Sequence, residues 1–444
     1  MIHARNTLSL TLLALLLPPS LWAEPQSPPP TWTVQEAVHF ALEHNPDART
    51  AQARMSAADA DIRAARAAFF PQLGVSAEYS RTNNPMYSFG NILNQGVFSN
   101  AIDFNDPGIT DNLQAKAMVQ YRFYNGGHDQ AALDAAGERG QAARLEREAI
   151  RARLGFGVVQ AFYTIVQAED LVQARQSTAE AIGASLAVAQ ARFQEGNLLK
   201  EDLLSLEVQQ SRAEEQLIQT RHGLSLAQRG FLHLLGTPAT EVRLDTAGSA
   251  RQDIPAERDS NGRPERTAMA AMVKAQEAEV RQAQAGNMPT ADAFGSYQTD
   301  RGTEIDDGSG NSWMAGVRLN YTLFDGQRTA AASDRAQARL SEAREQQRKM
   351  ELALDLEVEQ ATLALNQEEE RLRVTGKMVA AATESARLAR LRFKEGVLLA
   401  SDLIASENRL TDARVSHALA TAAHRIAIAD LRRAVGLTQF NQEN

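Results

Sequence analysis

The sequence predicts a mainly α-helical, internally duplicated protein whose few strands belong to a membrane β-barrel. The segment Arg192-Phe193-Gln194-Glu195-Gly196-Asn197-Leu198-Leu199 recurs 200 positions later as Arg392-Phe393-Lys394-Glu395-Gly396-Val397-Leu398-Leu399. Each copy interrupts a long helical pattern at one Gly and resumes through an Asp, at 202 and 402. Self-similarity at a fixed spacing marks a duplicated architecture. The stretches 127–193 and 327–393 contain no Pro and are rich in helix formers. Finally, short segments alternate apolar and polar residues and end in aromatics, as outer-membrane strands do.

The N-terminus comes first. Residues 1–23 carry His3 and Arg5, an apolar run from Leu8 to Leu17, and Leu21-Trp22-Ala23 before Glu24. That reads as a secretory signal peptide, the apolar core being too short to span a bilayer. No later stretch is apolar for the ~18 residues a spanning helix needs. The chain has no Cys, which excludes disulfides, thiolate metal sites and a lipid at the cleavage point. Its formal charge of -9 argues against nucleic acid as a partner.

The duplication extends beyond the tips. Tyr121 to Gly126 answers to Tyr321 to Gly326, and Leu235-Gly236 to Val435-Gly436. Upstream the offset is 218, pairing Pro46 with Pro264, Arg63 with Arg281 and Tyr79 with Tyr297. The first half is therefore longer by 18 residues between Tyr79 and Tyr121. The predicted layout is a first repeat over 24–240, a linker over 241–262 and a second repeat over 263–444. Strands are expected at about 71–81, 113–124, 290–298 and 313–324, with tips at about 195–199 and 395–399.

Each Pro-free stretch, read as one helix, is about 100 Å long at 1.5 Å per residue. Leu154, Val158, Phe162, Ile165 and Leu171 keep a packed helical face along the first. The helices expected from Pro46 to Phe70 and from Leu199 to Leu235 add up to nearly the same length. Two short helices end to end would match one long one, which implies a cylinder wall. Ala pairs such as Ala131-Ala132 permit close helix approach and equally reflect high helix propensity.

Among the strands, Leu73, Val75, Ala77 and Tyr79 alternate with Gln72, Ser76, Glu78 and Ser80. The pattern returns in Leu113 to Phe123 and in Trp313 to Leu323. Four strands cannot close a barrel, and an open edge cannot sit in lipid. Two, three or four copies must therefore share one barrel. The connecting segments, 81–112 and 299–312, read as variable outer loops; Asp306-Asp307-Gly308 lacks the spacing and terminal Glu of a calcium loop.

With its duplicated halves, paired strands, Gly-centred tips and the early Ala41-Leu42-Glu43-His44-Asn45-Pro46, the mature chain resembles the TolC-like outer-membrane efflux protein family, or outer membrane factors. The resemblance implies a long α-helical barrel continuous with a 12-stranded β-barrel, formed by a homotrimer in the outer membrane of a Gram-negative bacterium. It implies an exit duct for a tripartite efflux or type I secretion system, docked to a periplasmic adaptor and inner-membrane pump. It assigns adaptor docking to Glu195, Gly196, Asn197, Leu198 and Leu199 with Glu395, Gly396, Val397, Leu398 and Leu399. Asp402 and Asp202 map to the periplasmic entrance. The family's further Asp, its Tyr before the tip and its Arg after the Gly are here Ala405, Phe393 and Leu398. Closure is therefore expected from packing of Phe193 and Phe393, with Asp402 as a carboxylate ring. Both Asp residues, and Arg192 and Arg392, also suit the dipoles of the helix ends they occupy.

No phosphate loop, dinucleotide fingerprint, zinc helix or nucleophile elbow appears, so no enzyme, cofactor or metal site is expected. His417 and His424 lie about 10 Å apart along a helix, too far for one ion. The competing function is a periplasmic coiled-coil scaffold or adaptor. Two equivalent hairpins and lipid-like strands speak against it.

Overall fold

A computed structural model describes residues 31–238 and 241–440. The segment read as a signal peptide lies outside the described residues. The first repeat runs α1 (Val34–His44), α2 (Pro46–Arg66), β1 (Gln72–Thr82), α3 (Pro85–Asn94), β2 (Thr110–Tyr124), α4 (His128–Gln194) and α5 (Lys200–Leu235). The second runs α6 (Pro264–Gln284), β3 (Thr290–Arg301), β4 (Ser309–Asn320), α7 (Arg328–Lys394) and α8 (Ala400–Ala434). Both α4 and α7 have 67 residues, about 100 Å of helix.

Local chemistry starts the short helices where they lie. Thr33 and Glu36 close a capping box on α1, and Asn45 accepts from the Asp47 amide at 2.7 Å before Pro46 opens α2. Asn45 also donates to the Leu234 carbonyl at 2.7 Å, fixing the turn against the end of α5. At the matching place in the second repeat, Arg263 precedes Pro264 and binds Glu265 and Glu357.

Helices α2 and α5 pack on α4, and α6 and α8 pack on α7, so two short helices do line one long one. The repeats join where α4 meets α6 and α8. A core beside α1 gathers Trp32, Val38, Phe162, Ile165, Phe231 and Leu235. Trp32 meets Phe40 edge-on at 5.2 Å, an arrangement aromatic rings favour. Among the described residues, no helix is long and apolar enough to cross a membrane.

The strands form one antiparallel sheet in the order β1-β2-β3-β4. Leu73 lies opposite Val119, Ala117 opposite Tyr297, and Tyr297 opposite Trp313. Alternation therefore collects Leu73, Val75, Tyr79, Val119, Tyr297 and Trp313 on one face, all of them exposed. The other face is polar, with Arg122 donating to Asp292 at 2.9 Å and Arg318 lying over the Phe294 ring. Asp300, buried there, accepts from the side-chain amides of Asn112, Gln114 and Gln298.

Two expectations are corrected. The fourth strand ends at Asn320, not near Phe324: its partner Thr290 follows Pro289, which has no amide hydrogen to extend the ladder. The first outer loop contains α3, started by Asn84 accepting from the Met86 amide and by Pro85 at its first turn. The end of α3 lies on the polar face. There the Gln95 side chain donates to the Asp111 carbonyl at 2.7 Å, and a Cβ at Gly310 would collide with the Asn94 carbonyl.

Candidate functional site

At the far end of α4 and α7 from the sheet, each long helix stops in the same way. The Gly196 amide donates to the Phe193 carbonyl at 3.0 Å and the Asn197 amide to the Arg192 carbonyl at 2.7 Å. Gly396 and Val397 repeat the pattern onto Phe393 and Arg392, at 3.0 and 2.9 Å. These are Schellman caps, which place the residue after the helix in the left-handed region. Gly196 and Gly396 have φ of 79° and 80°, a conformation only glycine adopts without strain.

Beyond the caps, Glu195, Asn197, Leu199 and Glu395, Val397, Leu399 are exposed, whereas Leu198 and Leu398 are half-buried. The tips thus present apolar side chains to solvent, with Leu199 at 70% and Val397 at 74% exposure. Leu199 stands at the first tip, and Val397 and Leu399 at the second.

Asp202 and Asp402 are each the third residue of the returning helix, where the helix dipole favours an anion. Asp402 is exposed and Asp202 half-buried, and neither carboxylate is hydrogen-bonded or ion-paired among the described residues.

The two phenylalanines expected to act together are not equivalent. Phe393 is buried in a cluster with Ala189, Leu206, Ala389, Ala400 and Leu403. Phe193 stands outside it and is 38% exposed. Arg192 reaches across to the second hairpin: Nη1 donates to the Phe393 carbonyl at 3.0 Å and Nη2 to the Asn197 carbonyl at 3.0 Å. The guanidinium carbon lies 5.5 Å from the centre of the Phe393 ring, within cation–π range.

Sequence reasoning missed three supports of this end. Arg192 was visible only as a cation at a helix C-terminus. Thr178 and Thr411, buried where α4 meets α8, lie 2.6 Å apart through their hydroxyls. Glu407 is buried and held by Arg390. Further up, His417 faces the Thr375 hydroxyl at 3.1 Å, and burial followed by the charge of Arg425 pushes His424 down. Burial pushes Asp170 up. Among the described residues, no group of three side chains could hold a metal ion.

The geometry has counterparts among known proteins. The sequence model of the family described as outer membrane efflux protein matches residues 37–237 and again 260–437. Protein CyaE of Bordetella pertussis is 28% identical over 327 residues, 70% of this chain. The match spans 65% of that protein's length. The Campylobacter jejuni CmeC outer membrane channel superposes with a TM-score of 0.79 at 16% identity, covering 93% of this chain and 87% of that one. The Vibrio cholerae outer membrane protein VceC superposes with a TM-score of 0.76 at 19% identity, covering 92% and 97%. These structures share the fold, and the two family matches coincide with the two repeats: this chain belongs to the outer membrane efflux protein family.

Proposed function

We propose that this chain is the outer-membrane exit duct of a tripartite efflux or type I secretion assembly in a Gram-negative bacterium. Three copies supply twelve strands to one barrel and twelve helical strokes to a periplasmic tunnel, and substrates pass through it passively. The observation that carries this reading is the single sheet with one exposed apolar face and one polar face, continuous with helices of about 100 Å. Four strands leave two open edges, which lipid does not tolerate.

The tip residues Glu195 to Leu199 and Glu395 to Leu399, exposed apart from half-buried Leu198 and Leu398, are the surface for a periplasmic adaptor, which links the duct to an inner-membrane pump. Asp402, exposed and unpaired among the described residues, is the entrance carboxylate, and Asp202 is half-buried. Planar-bilayer recording tests this. The purified protein is expected to conduct ions, and Asp402→Asn to lower its cation selectivity without loss of assembly. Absence of conductance from protein recovered in outer membranes would overturn the duct reading.

A further inference from the structure

Charge is unevenly spread along the polar face of the sheet. Its charged side chains are Glu78, Lys116, Arg122, Asp292, Asp300 and Arg318, and the strand register sorts them into rows. In the row nearest the start of α4, Asp292 on β3 lies opposite Arg122 on β2 and opposite Arg318 on β4. Two cations there share one carboxylate. Toward the outer rim, Lys116 is set against both Glu78 and Asp300. The positive excess of this face therefore sits at its foot.

The shared carboxylate is engaged by one of the two arginines. Asp292 is 4% exposed and accepts from Arg122 Nε at 2.9 Å. The pairing of β2 with β3 shifts between Arg122 and Tyr124, an irregularity of the kind that re-aims a side chain. Arg318 makes no hydrogen bond or ion pair among the described residues. Its guanidinium carbon lies instead 5.2 Å from the centre of the Phe294 ring, and the residue is exposed.

Gly316 makes that perch. A Cβ there would come 2.9 Å from Phe294 Cζ, so the missing side chain is what lets the ring reach across to β4, beside Arg318. A guanidinium resting on a ring face keeps its N–H edges free, and their planar fork matches a carboxylate or phosphate. The first repeat has nothing like it. Its residues at the places of Phe294, Gly316 and Arg318 are Ser76, Lys116 and Met118. The arrangement is thus specific to the second repeat and is not demanded by the shared strand pattern.

We propose that Arg318, with Arg122 beside Asp292, is an oxyanion-binding station on the inner wall at the foot of the barrel, holding carboxylate or phosphate groups of solutes in passage. This rests on the duct reading, which makes the polar face the lumen, and adds a class of solute that the wall retains. Rings of arginine in a pore select anions as rings of carboxylates select cations. The duct then carries opposite filters in series, Asp402 at the entrance and Arg318 toward the exit.

Recording from the full-length protein in planar bilayers under a KCl gradient tests the station. Arg318→Gln should move the reversal potential toward that of potassium, while Arg318→Lys stays near the parent. Asp292→Asn removes the negative charge from the row and keeps an acceptor for Arg122, so it should move the potential toward that of chloride. Citrate and inorganic phosphate, added separately, should each reduce the parent's current, and Arg318→Gln should need at least about fivefold more for the same reduction. Met314→Gln, on the same face nearer the rim, should match the parent in both measurements. A parent current indifferent to both anions, an unchanged potential in Arg318→Gln, or an equal shift in Met314→Gln overturns the station and leaves the duct standing. Absence of conductance from protein recovered in outer membranes overturns the duct itself.

Discussion

Glu407, 2% exposed, accepts two hydrogen bonds from Arg390, at 2.5 and 2.8 Å. The pair ties α7 to α8 two turns above the second tip, and its hydrogen bonds hold the Arg390 guanidinium above its ordinary range. The corresponding positions of the first hairpin are Gln190 and an exposed Glu207. One hairpin is stapled and the other is not.

Replacing Glu407 takes the partner from Arg390 and leaves a buried space where the carboxylate stood. Because Arg390 is 41% exposed and solvent screens part of the interaction, we expect Glu407→Ala to cost about 1–3 kcal/mol. Glu207→Ala should stay within about 0.5 kcal/mol. Urea titration followed by circular dichroism in detergent measures both, and equal losses would remove the distinction between the hairpins.

The membrane face makes a second prediction. Ala117, midway along β2, is exposed on the apolar face between Val75 and Tyr297. Ala117→Arg should destabilise insertion by about 2–4 kcal/mol, the cost of Arg near the bilayer midplane. Lys116→Arg, one residue away on the polar face, should fold as the parent does. Refolding yield into lipid vesicles distinguishes them, and equal yields would mean that the assigned faces are wrong.

A third concerns the outer rim. A Cβ at Gly310 would collide with the Asn94 carbonyl, and one at Gly308 with Val97 and Gln95. Gly310→Val should lift α3 from the polar face and expose the segment 85–109 to protease on intact cells. The barrel should stay folded, because Gly310 adds no side chain to the apolar face. Unchanged proteolysis would mean that α3 is not held by this contact.

The fourth is a pH dependence within the second repeat, where the start of α6 meets α7 and the end of α8. Burial alone would raise the Glu357 carboxyl, but hydrogen bonds from Arg433 and Arg263 outweigh it and hold the group below its usual range. Glu265 is likewise lowered, burial being outweighed by its hydrogen bond from Arg263. A depressed carboxylate stabilises the fold above its unfolded value of about 4.3 and loses that contribution as pH falls through the folded value. We expect thermal stability to fall below about pH 4.5 and to fall less in Glu357→Gln, which has already lost the ionised partner. An identical acid profile in the variant would contradict the assignment.

Much of this architecture is legible in the sequence, because the signals are local. Gly196 and Gly396 announce the tips, and unbroken helix formers announce α4 and α7 to within a residue or two. What stays hidden depends on partners far along the chain. The end of β4 is decided by Pro289, just before the neighbouring strand. Arg192 finds its acceptor at Phe393, 201 positions away, so the inequivalence of Phe193 and Phe393 cannot be read from two matching motifs. Glu407 looks like any surface carboxylate until α7 covers it. In α3, Asn84-Pro85 is a genuine start signal, masked by the polar composition around it.

Native mass spectrometry of the full-length protein extracted from outer membranes tests the shared barrel. A particle of three chains is the expected result. A single chain, or recovery only in the soluble periplasmic extract, would contradict it, because four strands with two open edges have no place in a bilayer.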